Sequence, residues 1–235
     1  MSREPKAINE SSKSSTTGRK SSAEGATDRV AAGRPSKRAV GASERREAIV
    51  AAALEEFTAR GFAATRLDDV AKRAGVAKGT IYLHFKDKEA LFQELVRTAL
   101  VPLVARLSNP PTMGGSVRGM MEGFADMLAL EVVGTKRGDI VRLIISEGTR
   151  FPELAEFYYR EVVAHGVAGM RKLVEYGVAR GEIRNKGLLE FPQLVIAPAI
   201  FSIVWQALFG KIAPLDTKAM LHVHLDLIFS ERSAP

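Results

Sequence analysis

The chain contains no cysteine. That excludes a disulfide framework, a zinc–thiolate centre and a thiol nucleophile, and it suits a reducing, cytoplasmic setting. Long apolar runs are missing as well. The longest candidate, residues 194–208, is interrupted by Pro198, Ser202 and Gln206. Nothing reaches the roughly 18 uninterrupted apolar residues of a membrane span. The polar N-terminus lacks the apolar stretch that signal recognition needs, so no membrane partner is expected. A Gly-rich phosphate loop, a nucleophile elbow and a metal-ligand cluster are also lacking. Gly33-Arg34-Pro35 and Gly114-Gly115 fit none of them. No catalytic residue, cofactor or metal is expected, and the chain does not read as an enzyme.

What is present is a 235-residue chain, long enough for one or two domains with a sizeable core. Its net charge of +7 is unevenly spread. Residues 1–43 hold nine Lys and Arg against four Asp and Glu, a net +5 that leaves only +2 for the rest. A basic arm on a nearly neutral body suits contact with a polyanion, although such arms also serve merely as solubilising tails. Residues 1–41 contain no aromatic side chain and are rich in Ser, Gly, Ala, Lys and Arg. They cannot bury enough apolar surface to offset ordering entropy, so the arm, 1–42, reads as disordered. Within it Gly33-Arg34-Pro35 resembles the core of an AT-hook. Arg34 is thus a candidate for the A·T minor groove, against the alternative of a solvated linker.

Helical periodicity begins after the arm. Ser43 reads as the cap of a first helix whose Ile49, Ala53 and Phe57 share one face, with Gly61 ending it. Thr65 and Asp68 read as a capping box for a second helix reaching about Ala74. Gly75 makes a tight turn, Val76 plugs the angle, and a third helix covers about 78–84 with Ile81 and Phe85 facing inward. Asp87 caps a fourth helix carrying Leu91, Phe92, Leu95, Val96 and Leu100, taken here as one connecting helix over 88–103. Further helices are expected over 117–132 and 139–147, from Pro152 to about Arg180, from Pro192 to Phe209 around Pro198, and from the Asp216 cap to Phe229. The expected fold is all-α: a helix-turn-helix head over 43–92 and a helical body over 93–235.

A groove-reading helix needs small residues at its N-terminal end, a rigid buried side and donors for phosphates. Gly79 and Thr80 meet the first need, and Ile81 and Phe85 the second. The Thr80 and Tyr82 hydroxyls, His84 and the Lys88 ammonium are candidates for the third. Base reading falls to Lys78, Gly79 and Leu83, with Lys78 suited to guanine O6/N7.

The segment GFAATRLDDVAKRAGVAKGTIYLHFKDKEALF, residues 61–92, resembles the DNA-binding domain of the TetR family of transcriptional regulators. The resemblance extends over about 44–97. It implies DNA contacts by Thr80, Tyr82 and His84 in the T-x-Y-x-[HY]-F segment and a phosphate grip by Lys88. Ala77 stands where the family commonly has a hydroxyl. Arg66 stands where Ser or Thr is frequent, and with Thr65 it is included among the DNA-facing candidates. Residues 142–162, RLIISEGTRFPELAEFYYREV, are similar to an AcrR-like subgroup associated with efflux control.

The resemblance further implies a bacterial, nucleoid-associated, homodimeric repressor. It would bind an inverted-repeat operator in double-stranded DNA and be released by a small hydrophobic effector. Candidate pocket residues are the adaptable or aromatic side chains Met120, Phe124, Met127, Phe151, Phe157, Tyr158, Met170 and Trp205, which could equally be plain core. His222 and His224 stand at a spacing that points them to different helix faces, so a shared ion is not expected. Two alternatives stay open: a ligand-blind architectural DNA binder, and a helical protein-interaction module.

Overall fold

The computed structural model describes residues 37–108 and 115–229, so Arg34 and the arm before Lys37 lie outside the described residues. The regular structure of the described residues is helical, with no strand among them. The first helix, α1, spans Lys37–Ala64 and bends at Gly61. It begins before Ser43, whose hydroxyl donates to Glu47 rather than capping. Residues 37–42 are mostly good helix formers with no proline among them, so nothing there stops the helix from extending toward the N-terminus. The boundary expected at 42/43 is therefore interior to α1.

Gly61 adopts φ 77° and ψ 164°, a conformation essentially reserved for glycine. Beyond it the chain regains helix to Ala64 and enters α2, Leu67–Arg73, through Arg66. The expected Thr65–Asp68 capping box does not form. Thr65 is buried, and its hydroxyl donates to the Gly61 carbonyl at 2.8 Å. The bend brings that carbonyl within one turn of Thr65, and the hydroxyl satisfies it instead. Gly75 turns the chain at φ 68° into α3, Lys78–His84. Asp87 then caps α4, Lys88–Ala99, by accepting from the Ala90 N–H at 2.7 Å.

The connecting helix is not continuous. It breaks at Leu100, and α5 covers Val101–Ser108. Pro102 explains the break, because its ring has no N–H to give and clashes with the carbonyl four residues back. The body continues with α6, Val117–Glu131, and α7, Lys136–Glu147. Pro152 opens α8, Pro152–Tyr158, which passes through a π-helical turn, Tyr159–Val163, into α9, Ala164–Ala179. Gly181, at φ 73°, follows the end of that run. The short α10, Gly187–Glu190, precedes α11, Gln193–Phe209, and α12, Thr217–Phe229.

Pro198 lies inside α11 and cannot donate to the Leu194 carbonyl. His224 of α12 approaches that carbonyl with Nε2 at 3.0 Å, so the proline's missing bond is made from the neighbouring helix. His222 instead meets Asp126 of α6, which also holds Lys218. No described helix is long and apolar enough to cross a membrane.

The apolar interior does not divide at residue 92. Ile49, Phe57, Phe62 and Ile81 of the head join Phe92, Leu95, Ile140 and Leu154 in one core. A second core lies farther along the body, around Met121, Met170, Val174 and Leu221. The head–body boundary expected at 92/93 thus falls inside α4, with Phe92 and Leu95 on either side of it sharing the first core.

Candidate nucleic-acid interface and body cavity

Helix α3 is held from behind. Ile81 and Phe85 are buried, and the Arg46 guanidinium lies 4.8 Å from the centre of the Phe85 ring. Arg46 also bonds Glu94 at 2.9 Å, tying α1 to α4. Behind α2, the buried Glu56 accepts from Arg73 at 2.6 Å and pairs with Arg60. These links fix both helices of the motif on α1.

The outward face carries Lys78, Gly79, Tyr82 and Leu83, all exposed, with Leu83 86% exposed. Thr80 and His84 are half-buried beside them. A Cβ added at Gly79 would meet nothing within 4 Å, and its φ does not call for glycine. No packing in the protein requires glycine there, whereas a surface approaching from outside would. Arg66 is exposed at the start of α2.

Sequence reasoning missed the role of Asp68. Its carboxylate holds the Lys78 ammonium at 2.6 Å and accepts from the Tyr82 hydroxyl at 3.3 Å. The Lys78 hydrogen bond lowers the Asp68 pKa, and Asp68 in turn raises that of Lys78. Two residues expected to touch DNA are thus held by one acid of the preceding helix. An Asp at the first turn of α2 reads as a cap, and that reading hid the longer-range role.

Two candidates do not join that outward face. Thr65 is buried, as described above. The Lys88 ammonium, expected to grip a phosphate, points instead to the end of α1. It donates to the Phe62 and Ala63 carbonyls at 2.8 and 3.0 Å and lies 4.6 Å from the centre of the Phe62 ring. The bend at Gly61 exposes those carbonyls, and a cation at the end of a helix satisfies them.

The same bend meets the body. The Phe62 N–H donates to Glu147 at the end of α7 at 3.2 Å, and the Phe62 ring packs edge-on against Phe151 at 5.0 Å. A Cβ on Gly61 would stand 2.6 Å from a Glu147 oxygen. Glu147 is buried, and its other carboxylate oxygen has no hydrogen-bond partner among the described residues, with Arg150 3.7 Å away. Phe62 is thereby held by α4 through its carbonyl and by α7 through its N–H.

Behind this joint lies a cavity of about 510 Å³. Its wall includes Leu100 at the α4–α5 break, Val104 of α5, Ile144 of α7, Val163 of the π turn and Ile203 of α11. Of the eight expected pocket residues, Phe124, Met127 and Tyr158 line it. Met120 faces an adjoining groove beside Gly119 and Gly123. The other four lie elsewhere. Phe151 packs on Phe62, and buried Phe157 lies between Arg97 and Arg160. Met170 belongs to the second core. Trp205 stacks between Phe201 and Phe209, its indole N–H donating to the Ala213 carbonyl at 2.8 Å. The rest of the wall is mostly leucine, isoleucine and valine, with Gly166, Ala197 and Ala199 leaving room among them.

The family model for bacterial regulatory proteins of the tetR family matches residues 49–95. A second model, for the C-terminal domain of tetracyclin repressor-like proteins, matches residues 111–223. The chain belongs to the TetR family. This makes it a TetR-family DNA-binding transcriptional regulator with a helix-turn-helix head. It is 27% identical over 185 residues to the transcriptional regulator RutR of Escherichia coli K12, covering 79% of this chain and 72% of RutR. Its fold is similar to that of a TetR-family protein from Mesorhizobium loti, at 25% identity and a TM-score of 0.58, covering 80% and 94% of the two chains. A complex of SmeT with triclosan shares the fold at a TM-score of 0.65 and 17% identity, covering 80% and 93%. The similarity to AcrR of Shigella flexneri is 48% over 54 residues, about a quarter of either chain. RutR and AcrR are both regulators of transcription.

Proposed function

We propose that this TetR-family chain is a ligand-responsive repressor that binds an inverted-repeat operator as a homodimer and leaves it when a small hydrophobic effector fills the body cavity. The observation carrying this reading is the position of the cavity. Its wall shares Leu100 and α7 with the elements that hold Phe62, and Phe62 anchors the head. A ligand can shift DNA affinity only by favouring one of two conformations, and a cavity against the head's supports supplies that differential contact. The triclosan complex of SmeT, a protein of this fold, fits the same reading.

Dimerisation is supported by the apolar surface of α11 and α12. Leu194, Phe201, Leu208 and Phe209 of α11 are exposed, as are Val223 and Leu227 of α12. Such a surface calls for cover, and a second copy of the same pair gives a closed two-fold arrangement. Two heads then read half-sites about 34–36 Å apart on one face of the duplex. Lys78, Gly79 and Leu83 would face base edges, while Thr80, Tyr82, His84 and Arg66 would face the backbone.

The test is binding-site selection with the full chain, followed by light scattering of the complex and titration with apolar compounds. Two copies on an inverted repeat, released by such a compound, is the expected result. A dimer that binds DNA but responds to no compound would favour a ligand-blind architectural protein. Absence of salt-dependent DNA binding would favour a protein-interaction module.

A further inference from the structure

Resting on that cavity reading, we infer that the effector is an uncharged, largely apolar molecule carrying a hydrogen-bond acceptor, and that Tyr158 is the residue that recognises the acceptor. The cavity wall first limits charge. Among the described residues lining it, none is Asp, Glu, Lys, Arg or His, and only Tyr158 and Gln193 carry polar side chains. A carboxylate or ammonium drawn inside would lose its hydration with no counter-charge to replace it. Gln193, the first residue of α11, is exposed, so its amide meets water at the rim.

Tyr158 sits deeper, immediately before the π-helical turn that also places Val162 and Val163 in the wall. Its phenol makes no hydrogen bond to another described residue. Among the described residues, the side-chain oxygens wholly sealed without a partner are those of Glu56 and Glu147, and the Tyr158 oxygen is not one of them. A hydroxyl with no partner among the described residues, on a residue lining an apolar void, is available to donate to an acceptor that enters it. Burial pushes the phenol pKa up to about 12, so that proton stays in place at every physiological pH. π turns of this kind recur at functional sites because they reorient a side chain within an otherwise regular helix.

The proposal is tested on the full chain by isothermal titration with four probes of one skeleton: benzophenone, diphenylmethane, 4-benzoylbenzoate and (4-benzoylbenzyl)trimethylammonium. Benzophenone should bind, and both charged probes should bind at least about 100-fold more weakly. Tyr158→Phe should weaken benzophenone about fivefold and leave diphenylmethane unchanged, the difference expected of one net hydrogen bond. Thermal unfolding of Tyr158→Phe checks that the fold is kept. It should be, since the phenol has no described internal partner to lose. A charged probe binding as tightly as benzophenone would overturn the assignment of class. Equal weakening of both neutral probes would reduce Tyr158 to plain wall. If none of the four bound, the cavity reading itself would fall, and this inference with it.

Discussion

Gly79 at the tip of the head leaves open space that no part of the fold fills. In the body, Gly166, Ala197 and Ala199 leave space that surrounding helices partly enclose. The two kinds of emptiness teach different things. The first belongs to a local pattern, set by a turn glycine, two inward apolar residues and a helix seven residues long. The second belongs to the packing of α5, α6, α7, α9 and α11, contributed by residues almost a hundred positions apart, from Val104 to Ile203. One surface is therefore defined by what it displays, the other by what is missing from it.

The largest expected effect comes from filling the body cavity. Val163→Phe places a ring in the cavity from the π turn and should abolish displacement from operator DNA by benzophenone. Ala168→Phe adds bulk on the exposed side of α9 and should leave that displacement intact. Displacement is read by anisotropy of a labelled operator. Equal behaviour of the two variants would show that the cavity does not carry the response.

How much of this was legible follows from the same contrast. Helix α3 was readable to its ends, because Gly75, Ile81 and Phe85 act within a few residues of one another. The Asp87 and Asp216 caps were readable for the same reason. The continuous connecting helix was an error of omission, since Pro102 was in plain view. The start of α1 was misplaced because Ser43 has the chemistry of a cap but sits where helix formers precede it. The cavity could not be read that way. Methionines and aromatics mark where volume is spent, and Met170 and Phe157 spend it in cores. The contacts of Thr65, Asp68 and Lys88 were not legible for a third reason. Their partners depend on the bend at Gly61 and on the meeting of α2 with α3, neither of which local pattern reveals.

The joint between the two regions comes next in size. Gly61→Ala must adopt a conformation that costs of order 1–3 kcal/mol outside glycine, and its methyl meets Glu147. We expect a loss of about 2–4 kcal/mol by urea unfolding. Combining it with Glu147→Ala should relieve the clash but not the backbone strain. A Gly61→Ala protein as stable as the parent would mean that the bend is not obligatory.

Lys88 distinguishes a joint residue from a DNA contact. Lys88→Met removes two charge-assisted hydrogen bonds to carbonyls and should cost about 1–2 kcal/mol of stability. If the ammonium stays on those carbonyls when DNA binds, the salt dependence of operator binding should not change. If it turns out to a phosphate, the slope of log affinity against log salt should fall by about 0.9 for each head. Measuring stability and salt slope on the same variant separates the two roles, and a lowered slope would restore the phosphate assignment.

The smallest effects test the outward face itself, through a pair of changes with opposite signs. Tyr82 is half exposed, and its bond to Asp68 at 3.3 Å is long for a hydroxyl donor. Losing that bond should barely alter stability. If the hydroxyl turns to a phosphate when DNA binds, Tyr82→Phe should weaken all sequences by a similar factor, about fivefold, because phosphates carry no base identity. Asp68→Asn acts the other way. It removes a negative charge from the outward face of the head and frees the Lys78 ammonium, so affinity for unrelated DNA should rise and discrimination against it should shrink. Asp68 would then act as a brake that holds Lys78 until a matching base edge competes for it. Weaker binding to unrelated DNA in Asp68→Asn would instead make the carboxylate a simple brace, needed to hold Lys78 and Tyr82 in place.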